Sequence, residues 1–250
     1  FHVTGVQTCA LPILGHETWP QNNNVWESGG APVWQTPAID PELGLLIFST
    51  DNPGPDVGGQ VRKGDNLFSD SIVAIDVKTG KYKWHFQEVH HDLWDYDASN
   101  PVILFDLMKD GVLRKGIAQA GKTGWVYILD RVTGQPLVGI EEKPVPQRAE
   151  NATAATQPYP VGDAFVPHEI AIAPEGYKLV NQGRIFTPYW TEPTVIAPGI
   201  GGGANWPPSA VDPTKGIMYI CGQDKPFVFK ANDISAERPK PGGLYTGGDY

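Results

Sequence analysis

The sequence predicts an all-β protein assembled from repeated hairpins, a β-propeller or a related array. Two observations predict it. Glycine (29) and proline (24) are both abundant in the 250 residues, beside eight tryptophans, a composition suited to many tight turns between aromatic-packed strands. A turn pattern also recurs: Ala74, Asp76, Thr79, Gly80 and Trp84 form Ala-x-Asp-x-x-Thr-Gly-x-x-x-Trp, and Asp130, Thr133 and Gly134 echo it 54 residues on. Ala38–Asp40 and Ala210–Asp212 begin a sister pattern. A hairpin unit recurring every 40 to 55 residues indicates a propeller. A β-sandwich with similar turns is the competing architecture. The tryptophan after Thr-Gly favours the propeller, because it reads as a residue packing one repeat on the next.

Short β-like runs are expected at 45–50, 71–75, 81–87, 124–129, 184–187, 217–221 and 226–230, and helical periodicity is weak throughout. The turns between runs share one chemistry. In 40–44, 76–80, 130–134 and 212–216 an Asp opens the turn and a Gly closes it four residues later, where φ can be positive. Residues 142–205 differ, being rich first in Pro, Ala and Thr and then in Gly, and read as a long excursion between blades. Asn151-Ala-Thr153 fits a glycosylation sequon.

A 40 % hydrophobic content can fill a core, and a net charge of −9 argues against a nucleic-acid partner. No run of 18 apolar residues is present, so no transmembrane segment is expected. Residues 3–13 match the translation of a common sequencing adapter codon for codon. Residues 1–13 are therefore read as an adapter-derived artefact and 14–250 as the propeller segment. On that reading Cys221 is the only natural cysteine, no internal disulfide is available, and the start of the chain says nothing about compartment.

The densest chemistry lies at 90–97, His-His-Asp-Leu-Trp-Asp-Tyr-Asp. If 94–97 is extended, Asp95 and Asp97 share one face and Trp94 and Tyr96 the other. Two converging carboxylates repel unless a cation lies between them. The octapeptide therefore proposes a hard-cation site or a carboxylate pair with separated pKa values, against the plainer reading of a solvated acidic turn. A zinc site at His90 and His91 is disfavoured, since neither a third His nor a second natural Cys is near.

The repeat at 74–84 resembles the tryptophan docking motif of the pyrroloquinoline-quinone (PQQ) dependent alcohol dehydrogenases, and the resemblance extends from about Gly15 to Tyr250. It implies part of an eight-bladed β-propeller with the quinone on its axis. Trp34, in Gly30-Ala-Pro-Val-Trp34, resembles the indole that stacks under the quinone. Asn52, in Ser49-Thr-Asp-Asn-Pro53, resembles the family's metal-ligating Asn, although Asp51 stands where Gly is usual. In Trp94-Asp-Tyr-Asp97 the resemblance makes Asp95 the catalytic base and a metal ligand, 43 residues after Asn52. Asp97 matches the Asp of lanthanide-dependent members, where calcium enzymes carry a small or neutral residue. Lys122 resembles the basic residue on the quinone's reactive side, and Asn205 and Trp206 a later quinone-facing segment.

The resemblance implies oxidation of alcohols to aldehydes. Asp95 takes the hydroxyl proton, the metal acts as a Lewis acid, and hydride passes to the quinone. It further implies PQQ, one metal ion (a lanthanide by Asp97, or Ca²⁺), an alcohol substrate, a cytochrome c acceptor and a periplasmic location. The alternatives are a non-catalytic propeller scaffold of the cell envelope and a sugar-oxidising quinoprotein. The family's metal-binding Glu, its vicinal Cys pair and its closing blades lie outside this stretch. The 250-residue piece is therefore expected to be inactive by itself.

Overall fold

The computed structural model describes residues 14–27, 29–234 and 245–249. The stretch read as adapter-derived lies outside them, as does Cys9. Among the described residues, fourteen strands and five short 3₁₀ turns make up the regular structure. The strands are β1 (Ala38–Asp40), β2 (Leu45–Ser49), β3 (Ser71–Asp76), β4 (Tyr82–Gln87), β5 (Ile103–Lys109), β6 (Val112–Ala120) and β7 (Val126–Asp130). They continue as β8 (Ile140–Pro144), β9 (Thr156–Pro160), β10 (Thr194–Ile196), β11 (Ala210–Asp212), β12 (Ile217–Tyr219), β13 (Phe227–Ala231) and β14 (Gly248–Asp249).

Strands β1 to β4 form a four-stranded antiparallel meander in sequence order, one full propeller blade. The next sheet runs β5-β6-β7, and β8 pairs with β9. Strand β10 pairs with β13, which pairs with β14, while β11 and β12 form a separate hairpin. Alternation in β2 follows from its apolar positions: Leu45 and Ile47 are buried beneath half-exposed Leu46 and Phe48.

The Asp-to-Gly turns close as their chemistry requires. Asp76 Oδ1 accepts the N–H groups of Lys78 (3.1 Å) and Thr79 (2.9 Å) and the Thr79 hydroxyl (2.9 Å). Asp130 and Asp212 hold their turns in the same way. Two of these carboxyls lie below the usual carboxylate range: the Thr79 hydroxyl holds Asp76 down, and the Thr214 hydroxyl holds Asp212 down.

Trp84 is the joint between blades. Its Nε1 donates to Arg131 O at 3.1 Å, inside the Asp130–Gly134 turn of the next repeat. A Cβ on Gly134, whose φ is +74°, would lie 2.7 Å from the indole. The turn glycine therefore serves twice, taking the left-handed conformation and giving the ring a flat seat. Arg131 ties the same junction, with Nη2 2.9 Å from Asp106 and Nε 2.6 Å from Asp40 of the preceding blade.

Three expectations are corrected. Residues 184–187 form a turn, closed by Thr187 N–H to Arg184 O at 3.0 Å with Phe186 at φ +60°; their apolar character serves burial, since Ile185 and Phe186 enter the main core. Residues 142–205 are not wholly irregular, because they contain most of the β8-β9 hairpin and β10. Asn151 of the sequon is fully buried, accepting from Gly59 N–H at 2.9 Å and donating to Tyr189 O. It is a bracing side chain, inaccessible to a glycosylating enzyme in the folded protein.

Candidate active site

Five segments distant in sequence converge at the strand ends. Asp51 N–H donates to Pro32 O (3.1 Å) and Ala31 N–H to Asn52 O (2.8 Å), which lays the Trp34 segment beside Asn52. Asn52 N–H donates to Asp97 Oδ1 at 2.9 Å. Ala98 N–H donates to Thr50 O at 3.3 Å, so the acidic loop runs alongside β2's exit. Gly203 N–H donates to Lys122 O at 2.7 Å, and Asn100 Nδ2 donates to Asn205 O at 2.8 Å, which brings in the last two segments. That approach depends on glycine: a Cβ on Gly202 (φ +70°) would sit 2.4 Å from the Lys122 side chain.

Lys122 is the hub. Its Nζ lies 2.6 Å from Asp97 Oδ2 and 3.0 Å from Asp95 Oδ2, and it donates to Asp95 O at 2.7 Å. The cation between the two converging carboxylates is therefore, in the first instance, a lysine. Burial alone would lower the Lys122 ammonium, but Asp97 and Asp95 together push it well up, so it stays charged. Asp95 behaves oppositely. Desolvation raises its carboxyl to about 8 against the pull of Lys122, with Asp97 adding to the rise. Burial exceeds ion pairing there, because Asp95 gains one shared cation and loses nearly all its water.

The loop is not extended, which corrects the premise of strand alternation. Residues 94–97 form no strand, and Asp95 has φ +60°. The facing survives for another reason. Trp94 Nε1 donates to Thr187 O (3.0 Å), Tyr96 OH donates to Pro198 O (2.6 Å), and the two rings stack at 5.8 Å in the core. With both aromatics anchored inward, Asp95 and Asp97 face Lys122.

The remaining site residues fall as follows. Trp34 and Trp206 present indoles that are 49 % and 62 % exposed. The Asn205 side chain braces its own loop, donating to Gly201 O (3.1 Å) and accepting from Trp206 N–H (2.8 Å). Asn52 Nδ2 lies 3.4 Å from Pro53 O. Asp51 does not have positive φ, so Gly is not required there for conformation. Its carboxyl is buried and raised to about 8 by desolvation and by Asp97. Among the described residues no three His, Cys, Asp or Glu side chains group as a metal cluster. His90 bonds Gln87 and Glu142, while buried His91 lies between the carbonyls of Gly64 and Asn151.

Of four buried residues behind the site, Asp92 was read without a role and Arg62, Asp70 and Glu88 escaped the sequence reading. Asp92 accepts from two loop N–H groups. Arg62 is fully buried, donating to Pro55 O (3.0 Å), Asn66 Oδ1 (2.9 Å), Asp56 O (3.0 Å) and Asp92 O. Asp70 and Glu88 are fully buried, Glu88 with no hydrogen-bond partner on its carboxyl oxygens, and burial raises both. Asp70 directly precedes β3 and Glu88 directly follows β4, where a polar residue reads as an ordinary turn. Only their burial sets them apart, and no local pattern signals it.

Docked blades thus meet at a lysine-centred acidic site. The chain belongs to the PQQ family described as glucose/ethanol/alcohol dehydrogenase, beta-propeller domain, whose family model matches residues 11–242. A quinohemoprotein alcohol dehydrogenase of Comamonas testosteroni is 34 % identical over 215 residues, covering 84 % of this chain and 27 % of the relative. The solved quinohemoprotein alcohol dehydrogenase ADHIIG of Pseudomonas putida HK5 superposes with TM-score 0.66 at 27 % identity, covering 94 % of this chain and 32 % of that one. A europium-containing methanol dehydrogenase superposes with TM-score 0.63 at 28 % identity, covering 88 % of this chain and 35 % of that one. The chain thus spans about a third or less of the relatives it matches. Membership implies PQQ and a metal ion as the family's resident groups. No helix among the described residues is long and apolar enough to cross a membrane.

Proposed function

We propose that the protein carrying this chain is a PQQ-dependent alcohol dehydrogenase in which Asp95 accepts the substrate's hydroxyl proton. The observation that carries the reading is the buried Lys122–Asp95–Asp97 constellation joined to Asn52.

The donor set fits the resident groups. Asn52, Asp95 and Asp97 would hold the metal, as hard oxygen ligands suited to Ca²⁺ or a lanthanide. Beyond desolvation, the Asp97 charge raises both Asp51 and Asp95, a repulsion that a bound cation would relieve. Trp34 and Trp206 would offer flat apolar surface to the quinone, with Lys122 and Asn205 at its polar edge. When bound, the quinone supplies the two-electron acceptor that no side chain here provides. Lys122 holds Asp95 through both its carbonyl and its carboxylate, fixing the base in one orientation. The same ammonium places a permanent positive charge where reaction develops a negative one. The reading further takes the protein to be periplasmic, passing electrons to a cytochrome c.

In the full-length protein, Asp95→Asn is expected to lower turnover by about 10³-fold while sparing fold and quinone binding; unchanged turnover overturns the role. Asp97 adds charge suited to a trivalent ion, so a light lanthanide is expected to activate more than Ca²⁺. Asp97→Ala should erase that preference in a metal titration, whereas equal activation of the unaltered protein by Ca²⁺ refutes it. Profiling alcohols against aldose sugars separates the alcohol reading from a sugar-oxidising one.

A further inference from the structure

We infer that Asp92 is the positioning residue of the site: its carboxylate arches the loop so that Asp95 presents to Lys122. The inference rests on the reading of Asp95 as the base. Both Asp92 oxygens are used. Oδ1 accepts Trp94 N–H at 2.9 Å, and Oδ2 accepts Tyr96 N–H at 2.8 Å. The residue between those tethers is Asp95, at φ +60°, a left-handed conformation that most residues avoid and Asp tolerates better than most. The tethered side chains go into the core, so the apex side chain is turned the other way, toward Lys122. Asp92 is itself held from behind, because the buried Arg62 guanidinium donates to its backbone carbonyl. Fully buried, it acts through Asp95.

Two acceptors are needed. A carboxylate has them, whereas an amide pairs one acceptor with a donor that would oppose the second N–H. The test uses the full-length protein with Asp92→Asn, Asp95→Asn and the double variant. Turnover of ethanol is measured per quinone-loaded site, and Tb³⁺ binding to the quinone-free protein by tryptophan-sensitised luminescence. Asp92→Asn is expected to lower kcat per loaded site about tenfold or more with KM within about twofold, since small misplacements of a reacting group are costly. Tb³⁺ affinity should fall in the same variant, and the double variant should be no worse than Asp95→Asn alone. Wild-type kcat per loaded site in Asp92→Asn, or additive losses of Tb³⁺ affinity in the double variant, would overturn the inference. If Asp92→Asn does not fold, Asp92→Glu keeps both acceptors on a longer arm. It should fold with reduced kcat, and wild-type turnover there refutes the geometric role. Full activity in Asp95→Asn would remove the base assignment, leaving the Tb³⁺ comparison to decide positioning by itself.

Discussion

The turn at 76–80 and the loop at 92–97 use the same device in opposite surroundings. In each an Asp carboxylate accepts N–H groups of residues just ahead of it: Lys78 and Thr79 for Asp76, Trp94 and Tyr96 for Asp92. The first is exposed, and the Thr79 hydroxyl heads the bonds that hold Asp76 below the usual carboxylate range. The second is buried, and desolvation raises Asp92 to about 6 despite its two backbone donors. Water makes the difference. An exposed turn acid is solvated as well as bonded, whereas a buried one depends on bonds alone. The repeat can therefore be copied along the chain at little cost, while the site can be built only where Arg62 and Lys122 bring charge from elsewhere.

The largest way to break this contrast is Lys122→Met. Removing the ammonium leaves Asp95 and Asp97 facing each other in a dry site, an expected loss of about 3–5 kcal/mol in chemical denaturation together with loss of activity. A loss no larger than that of an exposed lysine would mean that water reaches the loop freely. The turns are sharpened by a paired glycine test. Gly134→Ala meets both a positive φ and the Trp84 ring, and should cost about 2–3 kcal/mol. Gly80→Ala has the same backbone problem (φ +68°) but open space around it, and should cost about 1 kcal/mol. Equal values would remove the indole's seat as an energetic contribution.

The remaining test is in pH. Asp51 and Asp95 rise to about 8 in the folded state, so the folded protein binds more protons than the unfolded chain from about pH 4 to 8. Stability without a metal should therefore fall as pH rises across that window. His91 has the opposite sign. Its depressed pKa of about 4 favours the fold above the ordinary histidine value and loses that benefit on acidification. The acids are cleanest between about pH 6.5 and 8, where His91 is neutral in both states. Thermal melts there should slope downward without metal and flatten with a bound lanthanide. An upward slope would contradict the burial of the acids.

Much of the propeller was legible because its signals are local. Asp130 and Gly134 announce a turn within five residues, and Trp84 announces the contact between turns. The strands at 45–50, 71–75 and 81–87 follow from apolar periodicity and land within a residue or so of β2, β3 and β4. The run at 184–187 misled because burial and strand pairing look alike in four residues. At the site, Asp95, Asp97 and Lys122 were found through resemblance, and they do meet. Asp92 was seen without a role and Arg62 was not singled out, because their partners are chiefly backbone groups and a sequence does not display where N–H and carbonyl groups will point.

The seat of Trp84 also orders events in time. Its indole closes on Arg131 and Gly134, residues synthesised some 50 positions later. The blade that carries Trp84 is therefore synthesised before its latch, which arrives only with the turn of the following repeat.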